Sequence, residues 1–211
     1  MLADEARRLG AVLVHYSTGY VFDGHSAHPY SEDDVATPLS VYGRSKLAGE
    51  QAIRESDVPH IVLRTGWVYG LRGRNFLQTV RRLAAEEDDL PIVSDQFGSP
   101  TWCRLIASGT AAIIARLGTG RDEVVDSARR RGGLYHMMAA GSASWHDFAT
   151  SIVAATSRVG KTPVVRAIRA AEYPSAARRP NNSLLDCSRL ASTFGVALPD
   201  WRVQFTLALH S

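Results

Sequence analysis

The sequence predicts an α/β fold built on a mainly parallel sheet, and three observations indicate it. The runs AVLVHYST (11–18) and HIVLRTGWVYG (60–70) are almost wholly apolar and rich in β-branched residues, a pattern typical of strands buried on both faces. Segments with helical periodicity follow both runs, and such alternation is typical of parallel sheets. The 211 residues, 45% of them hydrophobic, suffice for one large domain or two small ones.

The remaining elements follow from local signals along the chain. LADEARRLG (2–10) predicts the end of an amphipathic helix, closed by Gly10 as its C-terminal cap. Residues 19–40 form a long loop of the kind that usually carries function. Ser144 and Asp147 predict a capping box that opens a helix over 145–159. Further helices are expected at 42–56, 75–87, 103–117, 187–194 and 199–210, extended segments at 90–95, 133–139 and 162–170, and a loop at 178–183.

Composition excludes several classes of protein. No apolar run approaches the roughly 20 residues that span a bilayer, and the N-terminus does not resemble a signal peptide, so we expect a cytoplasmic protein without membrane contact. The net charge is only +3, and the chain contains an acidic run (86–89) as well as an arginine run (129–131). Each run is expected to be a solvated loop or helix end rather than a nucleic-acid surface. Cys103 and Cys187 lie in no metal-ligand spacing and are expected to be reduced, buried and structural.

A Tyr and a Lys stand four residues apart in VYGRSKLAGE (41–50). The chain has 24 Lys and Arg residues, and only Lys46 and Lys161 are Lys. On a helix, Tyr42 and Lys46 would share one face. A phenol has a pKa of about 10, and a neighbouring ammonium lowers it toward the working range of a general acid. The alternative interpretation is an exposed helix pair without a chemical role.

Hydroxyl side chains end the first predicted strand. Ser17 and Thr18 would lie at the carboxyl end of a parallel strand, where ligands bind in open α/β sheets. A hydroxyl there can hydrogen-bond a substrate carbonyl, although a simple turn cap is the alternative. His15 just before them is expected to be a partly buried histidine rather than a catalyst.

Five segments together resemble the dTDP-4-dehydrorhamnose reductase family, a branch of the extended short-chain dehydrogenase/reductases. They occur in the family's order and spacing: HYSTGYVFDG, PYSEDDVATPLSVYGRSKLAGE, VLRTGWVYG, SDQFGSPT and RRPNNSLLD. The resemblance implies an incomplete doubly wound (Rossmann-like) parallel sheet over residues 1–140 and a small substrate-binding lobe over 141–211. It also implies reduction of the 4-keto group of dTDP-4-dehydro-L-rhamnose to dTDP-L-rhamnose with NADPH, or with NADH.

The same resemblance assigns roles to particular residues. Tyr42 would donate the proton, Lys46 would tune it and contact the cofactor ribose, and Thr18 would orient the carbonyl. The substrate-binding residues would be Trp67, near the sugar, with Arg179 and Asn182 at the diphosphate; Gln96 and Pro100 would shape the pocket wall. A core position closing a strand is the alternative for Trp67, and a solvated loop is the alternative for Arg179. The resemblance leaves Mg²⁺ and a homodimer open.

The chain departs from the family pattern in two ways. Gly19 stands where the family has Asp, which removes a carboxylate expected beside the sugar. No G-x-G-x-x-G follows the first predicted strand, and the family's N-terminal cofactor-binding part is missing from the 211 residues. We therefore expect a truncated frame or a fragment of a longer enzyme, with independent activity in doubt.

Two other functions remain open. One is a non-catalytic nucleotide-sugar or regulatory binding subunit, of the kind that serves methionine adenosyltransferase as its beta subunit. The other is a different nucleotide-sugar enzyme, an epimerase or a dehydratase. Gly19 and Tyr20 after Thr18 disfavour the dehydratase, which would be expected to have Asp and Glu there.

Overall fold

The computed structural model describes residues 2–156, 162–174 and 177–211. The helices are Leu2–Arg8 (α1), Val41–Glu55 (α2), Phe76–Glu86 (α3), Cys103–Leu117 (α4), Arg121–Arg131 (α5), Trp145–Thr156 (α6), Ser188–Phe194 (α7) and Trp201–Leu209 (α8), with 3₁₀ turns at Gly19–Val21 and Ala170–Glu172. The strands are Leu13–Thr18 (β1), His60–Thr65 (β2), Val68–Tyr69 (β3), Asp89–Val93 (β4), Phe97–Gly98 (β5), Thr101–Trp102 (β6), Gly133–His136 (β7), Ala139–Ala140 (β8), Ala143–Ser144 (β9), Val164–Ile168 (β10) and Leu198–Asp200 (β11).

The main sheet is parallel, with strand order β1-β2-β7. Four short two-stranded pairs surround it, β10-β4, β11-β8, β3-β6 and β5-β9, and only the last is antiparallel. The predicted α/β class with parallel strands is confirmed. Among the described residues, every helix is too short or too polar to span a bilayer.

Burial differs between the two strands that were expected to be buried on both faces. Ile61 to Thr65 of β2 are all buried, as predicted. The prediction is wrong for β1, where Leu13, Val14 and His15 are half-buried and Tyr16 is 42% exposed. Within the described part of the chain β1 pairs only with β2, so its outer edge has no neighbouring strand.

Caps place the helix ends near their predicted positions. Gly10 has φ of 59°, the left-handed conformation expected of a C-terminal cap. The capping box is confirmed, because Ser144 N donates to Asp147 Oδ2 (2.8 Å) and Asp147 N donates to Ser144 Oγ (3.0 Å).

Helix α5 was not predicted, since only Ser127 and Ala128 of it are buried and its apolar periodicity is weak. Its last turn is the arginine run, confirmed as a helix end, where positive charge complements the helix dipole.

The largest hydrophobic cluster joins residues that are far apart in sequence. Tyr69 and Leu77 pack there with Phe148 and Trp201. The cluster therefore includes residues from both sides of the domain boundary expected near residue 140, and that boundary stays a prediction.

The two cysteines differ in exposure. Both cysteines are free. Cys103 is exposed at the start of α4, so the prediction that it is buried is wrong. The reason is that only the inner face of α4 packs on the core. Cys187 is half-buried, and burial raises the pKa of its thiol to about 12.

Candidate active site

Thr18 ends β1 and starts the turn that leads into the site. It is 5% exposed, and its hydroxyl oxygen accepts a hydrogen bond from Tyr20 N at 3.1 Å. The cap interpretation of Thr18 is therefore confirmed. A hydroxyl that accepts this bond still has its own proton to donate, so the cap does not exclude a role toward a carbonyl.

Helix α2 begins against that turn. Ser40 caps the helix by accepting from Gly43 N at 3.1 Å. A Cβ at Gly43 would lie 2.3 Å from the carbonyl oxygen of Tyr20, a distance that side-chain carbon atoms do not tolerate. Glycine at 43 thus lets the first turn of α2 approach the end of β1. Tyr42, in this turn, is 55% exposed, so its ring is accessible at the carboxyl edge of the sheet.

Lys46 lies one turn further along α2 and reaches back to β1. Its Nζ donates to the carbonyl oxygen of Tyr16 at 2.5 Å and lies 3.2 Å from Nε2 of His15. An ammonium has three donors, and these two contacts leave one N–H for a ligand. The predicted pairing of Tyr42 and Lys46 on one helix face is consistent with this placement.

A buried ion pair that was not predicted fastens α2 to the sheet. The guanidinium of Arg64 (3% exposed) donates to both carboxylate oxygens of Glu50 (8% exposed), with Nη2 2.6 Å from Oε2 and Nε 3.0 Å from Oε1. Ser17 Oγ also donates to Glu50 Oε1. Glu50 is four residues after Lys46, so one face of α2 carries both the ammonium and this anchor.

Trp67 is held by aromatic stacking next to β3. Its ring stacks on Trp145 with centroids 3.4 Å apart and planes 3° from parallel. A Cβ at Gly98 would lie 2.3 Å from the Trp67 ring, so glycine is needed there for the ring to fit. Trp67 is 8% exposed, has φ of 50°, and its Nε1 has no hydrogen-bond partner among the described residues. The core interpretation of Trp67 accounts for its burial, and a contact between its ring and the sugar stays a prediction.

Arg179 borders a cavity of about 990 Å³ between α3, β4 and the segment that follows β10. The cavity has an apolar aromatic wall, which includes Phe76, Trp145 and Tyr173. Its lining also carries both charges, from Arg178 and Arg179 and from Glu87 and Asp89. Arg179 is exposed and Gln96, also on the cavity wall, is 8% exposed. This volume lies at the upper end of the range of about 300–1,000 Å³ for small-molecule sites.

Tyr20 connects the cavity rim with the Tyr42 region. Burial raises the pKa of Tyr20, the positive charge of Arg179 opposes that rise, and Tyr42 adds to it. Both Arg179 and Tyr42 are therefore close enough to act on the Tyr20 phenol. Neither Thr18 nor Tyr42 lines the cavity itself.

Asn182 uses its side chain within the chain. Its Nδ2 donates to the carbonyl oxygens of Ser26 (2.9 Å) and His28 (3.0 Å), and its Oδ1 accepts from Leu184 N (2.9 Å). Sequence reasoning assigned this amide to the substrate. In the structure it binds the loop after β1. The contact with the substrate stays a prediction.

Gly19 and Pro100 are both buried and neither lines the cavity, so the wall role expected of Pro100 stays a prediction. A Cβ at Gly19 would lie 3.3 Å from Ser183 O and 3.4 Å from Leu185 Cδ2. A side chain at Gly19 would therefore require its neighbours to shift by a few tenths of an ångström. No group of three or more His, Cys, Asp or Glu with metal-site geometry occurs among the described residues.

The chain is similar in sequence and in fold to dTDP-4-dehydrorhamnose reductases. A family model described as "RmlD substrate binding domain" matches residues 1–211. A curated relative from Burkholderia thailandensis, named dTDP-4-dehydrorhamnose reductase, is 46% identical over 215 residues, covering 100% of this chain and 71% of the relative. The chain spans 66% of the length of further reductases with that name.

Solved structures show the same fold. A dTDP-4-dehydrorhamnose reductase from Clostridium acetobutylicum matches with a TM-score of 0.87 and 32% identity, over 99% of this chain and 69% of that one. A reductase of the same name from Bacillus anthracis, solved in complex with NADP, matches with a TM-score of 0.85 and 30% identity, over 99% and 68%.

Proposed function

The chain belongs to the RmlD substrate binding domain family, and from this membership we propose that it carries the substrate-binding and proton-donating part of an NADPH-dependent dTDP-4-dehydrorhamnose reductase. The observation that supports the proposal is the close approach of the first turn of α2 to the turn after β1, where a Cβ at Gly43 would lie 2.3 Å from Tyr20 O. Tyr42 precedes Gly43, and Lys46 Nζ donates to Tyr16 O of β1 at 2.5 Å. NADH remains the alternative cofactor, and Mg²⁺, the homodimer and the cytoplasmic location stay predictions.

The reduction needs a proton at the carbonyl oxygen of the sugar. The cofactor, when bound, supplies a hydride to the carbonyl carbon. Tyr42 gives its phenolic proton to the oxygen, and the Lys46 ammonium favours the phenolate that results. Thr18 donates a hydrogen bond to the same oxygen, keeps its own proton, and holds the oxygen in place.

Lys46 also fits the ribose of a nicotinamide cofactor. Two of its donors are directed at Tyr16 O and His15 Nε2, which fixes the ammonium at the carboxyl edge of the sheet. The remaining N–H can donate to a ribose hydroxyl. Tyr42, exposed on the same face, can contact the ribose as well.

The cavity is proposed to take the dTDP part of the substrate. Arg179 at its rim offers a planar fork of donors that matches phosphate oxygens. The wall of Phe76 and Trp145 suits an apolar ring, and the stacked partner of Trp145, Trp67, extends this surface toward the sugar. Asn182 supports the site by holding the 26–28 loop, to which both of its donor contacts go.

The experiment that tests this function pairs binding with turnover. Calorimetric titration of the 211-residue chain with dTDP should give saturable binding, weakened in Arg179→Ala, and dTDP-4-dehydro-L-rhamnose should then be assayed with NADPH. Tyr42→Phe should reduce turnover by about 100-fold or more while dTDP binding is retained. Tyr135→Phe is the matched control, because the Tyr135 hydroxyl donates to Arg131 O, inside the fold.

Different results would refute different parts of the proposal. A folded chain that does not bind dTDP would contradict the substrate assignment. Full turnover in Tyr42→Phe would remove Tyr42 as the acid. Binding of both dTDP and NADPH without any turnover would favour the non-catalytic binding subunit instead.

A further inference from the structure

His15 and Lys46 form a contact that the proposed reaction does not require. Nε2 of His15 lies 3.2 Å from Nζ of Lys46, and the two side chains come from β1 and α2, 31 residues apart. An ammonium can only donate, so a hydrogen bond at this distance requires a lone pair on Nε2. The contact therefore defines the protonation state of the imidazole: neutral, with its proton on Nδ1.

The surroundings of His15 favour that neutral form. Burial lowers the pKa of His15, the charge of Lys46 lowers it further, and Glu50 acts in the opposite direction. Among the described residues, Lys46 and Glu50, both on α2, are the titratable groups that act on it. On the other side, β2 places Val62 beside His15, and Gly49 of α2 leaves the imidazole room, since a Cβ there would lie 3.8 Å from Nε2.

We infer that His15 is a positioning residue for Lys46, whose neutral imidazole holds the ammonium against β1 and whose protonation releases it. A protonated imidazole has no lone pair for the ammonium and places a second positive charge about 3 Å from the first, where two like charges repel strongly. The ammonium then loses one of the two contacts that fix it and moves away from His15. Acid conditions would thus displace Lys46 while leaving α2 anchored through Glu50 and Arg64.

The catalytic consequence rests on the proposed function, whereas the coupling of the two side chains does not. If Lys46 tunes Tyr42, protonation of His15 produces an acid limb in the pH profile of kcat/KM. That limb should lie below pH 6.5, because the pKa of His15 is lowered from that value. Below it, kcat/KM should fall about tenfold for each pH unit.

The coupling can be measured without any turnover, because the chain has only two lysines. In the 211-residue chain labelled with ¹³C-lysine, the ε-methylene region of an NMR spectrum contains two signals, and Lys46→Arg assigns them. We expect the Lys46 signal to show an inflection at the pH where the His15 ring proton titrates. His15→Gln, which keeps an acceptor but cannot titrate in this range, should abolish the inflection. His60→Gln, at the opposite end of β2 from the site, should keep it.

The outcomes separate the two proposals. A Lys46 signal that stays flat while His15 titrates overturns the inference, and so does an inflection that persists in His15→Gln. If His15→Gln does not fold, the unsubstituted chain still tests the inference, because the Lys46 signal must change at the same pH at which the His15 ring proton titrates. Glu50→Gln tests whether the Glu50 carboxylate, rather than His15, causes the inflection of the Lys46 signal. The inflection that depends on His15 should remain in this variant. A coupled Lys46 signal in a chain without reductase activity supports the inference and counts only against the proposed function.

Discussion

His136 should make the stability of the fold steeply dependent on pH. The side chain is fully buried on β7, and its Nδ1 lies 3.0 Å from Tyr30 O and 3.2 Å from Asp186 O, so Nδ1 carries the proton. Its Nε2 has no hydrogen-bond partner among the described residues. Burial lowers the pKa of His136 to about 3, and the guanidinium of Arg64 adds to that effect. The fold therefore accepts only the neutral imidazole.

The magnitude follows from the two pKa values. The folded value of about 3 lies below the ordinary value of 6.5, so the unfolded chain takes up a proton first as the pH falls. The stability contributed by neutral His136 is complete above pH 6.5 and is lost progressively down to the folded pKa. Linkage gives a loss of about 2 kcal/mol between about pH 7 and about pH 5. Each further pH unit removes about 1.4 kcal/mol until the folded chain is itself protonated.

Urea unfolding at several pH values measures this loss. His136→Gln can still donate to one of the two carbonyl groups and does not titrate, so its free energy of unfolding should be lower at neutral pH but should fall less between pH 7 and pH 5. The difference between the two slopes, rather than either value alone, isolates His136, because His15 contributes to both proteins. His60→Gln should keep the slope of the unsubstituted chain. Equal slopes in His136→Gln and the unsubstituted chain would refute the reasoning.

Two further substitutions test the packing around the site. Glu50→Gln leaves the buried Arg64 guanidinium without its counter-charge and should lower the free energy of unfolding by about 3–5 kcal/mol; adding Arg64→Met should recover much of that loss in the same urea assay, and no recovery would mean that the cost comes from packing. Gly98→Ala would place a Cβ 2.3 Å from the Trp67 ring and should cost about 1–3 kcal/mol with a change in near-UV circular dichroism. Gly120→Ala, which meets no atom within 4 Å, is the control, and equal behaviour of the two alanine variants would contradict the account of Trp67.

The parts of the fold that could be predicted are those with a local cause. Helix α2 was expected at 42–56 and is found at Val41–Glu55, because Ser40 supplies a cap that the sequence shows directly. The capping box at Ser144 is the same kind of signal. The burial of β1 was overestimated because an apolar run does not show how many strands lie beside it. Helix α5 was missed because its sequence is mostly charged, so little of it contributes to the core.

The candidate site was predictable to the extent that its residues stand in short motifs. Thr18, Tyr42 and Lys46 lie at a strand end and on one helix face, where spacing alone places them. Asn182 illustrates the limit, because the same amide could serve a ligand or a loop, and only the positions of Ser26 and His28 show that it holds the loop. The cavity beside Arg179 depends on segments about 100 residues apart, and no local pattern indicates it.

Three buried polar residues share one row of the sheet, and sequence reasoning named only Ser17 of them, as a strand-end hydroxyl. Ser17 of β1 is in register with Arg64 of β2, and Arg64 is in register with His136 of β7. Each of these polar side chains belongs to a strand whose sequence is otherwise apolar. In a single strand, such a residue looks like an isolated departure from the apolar pattern. Glu50 covers the row from α2 with directional bonds to Arg64 and Ser17. An apolar face would let α2 slide or rotate over the sheet, whereas these bonds fix its height and rotation relative to the strand ends. Since Tyr42 and Lys46 belong to that helix, the buried polar row determines where the proposed acid stands relative to Thr18.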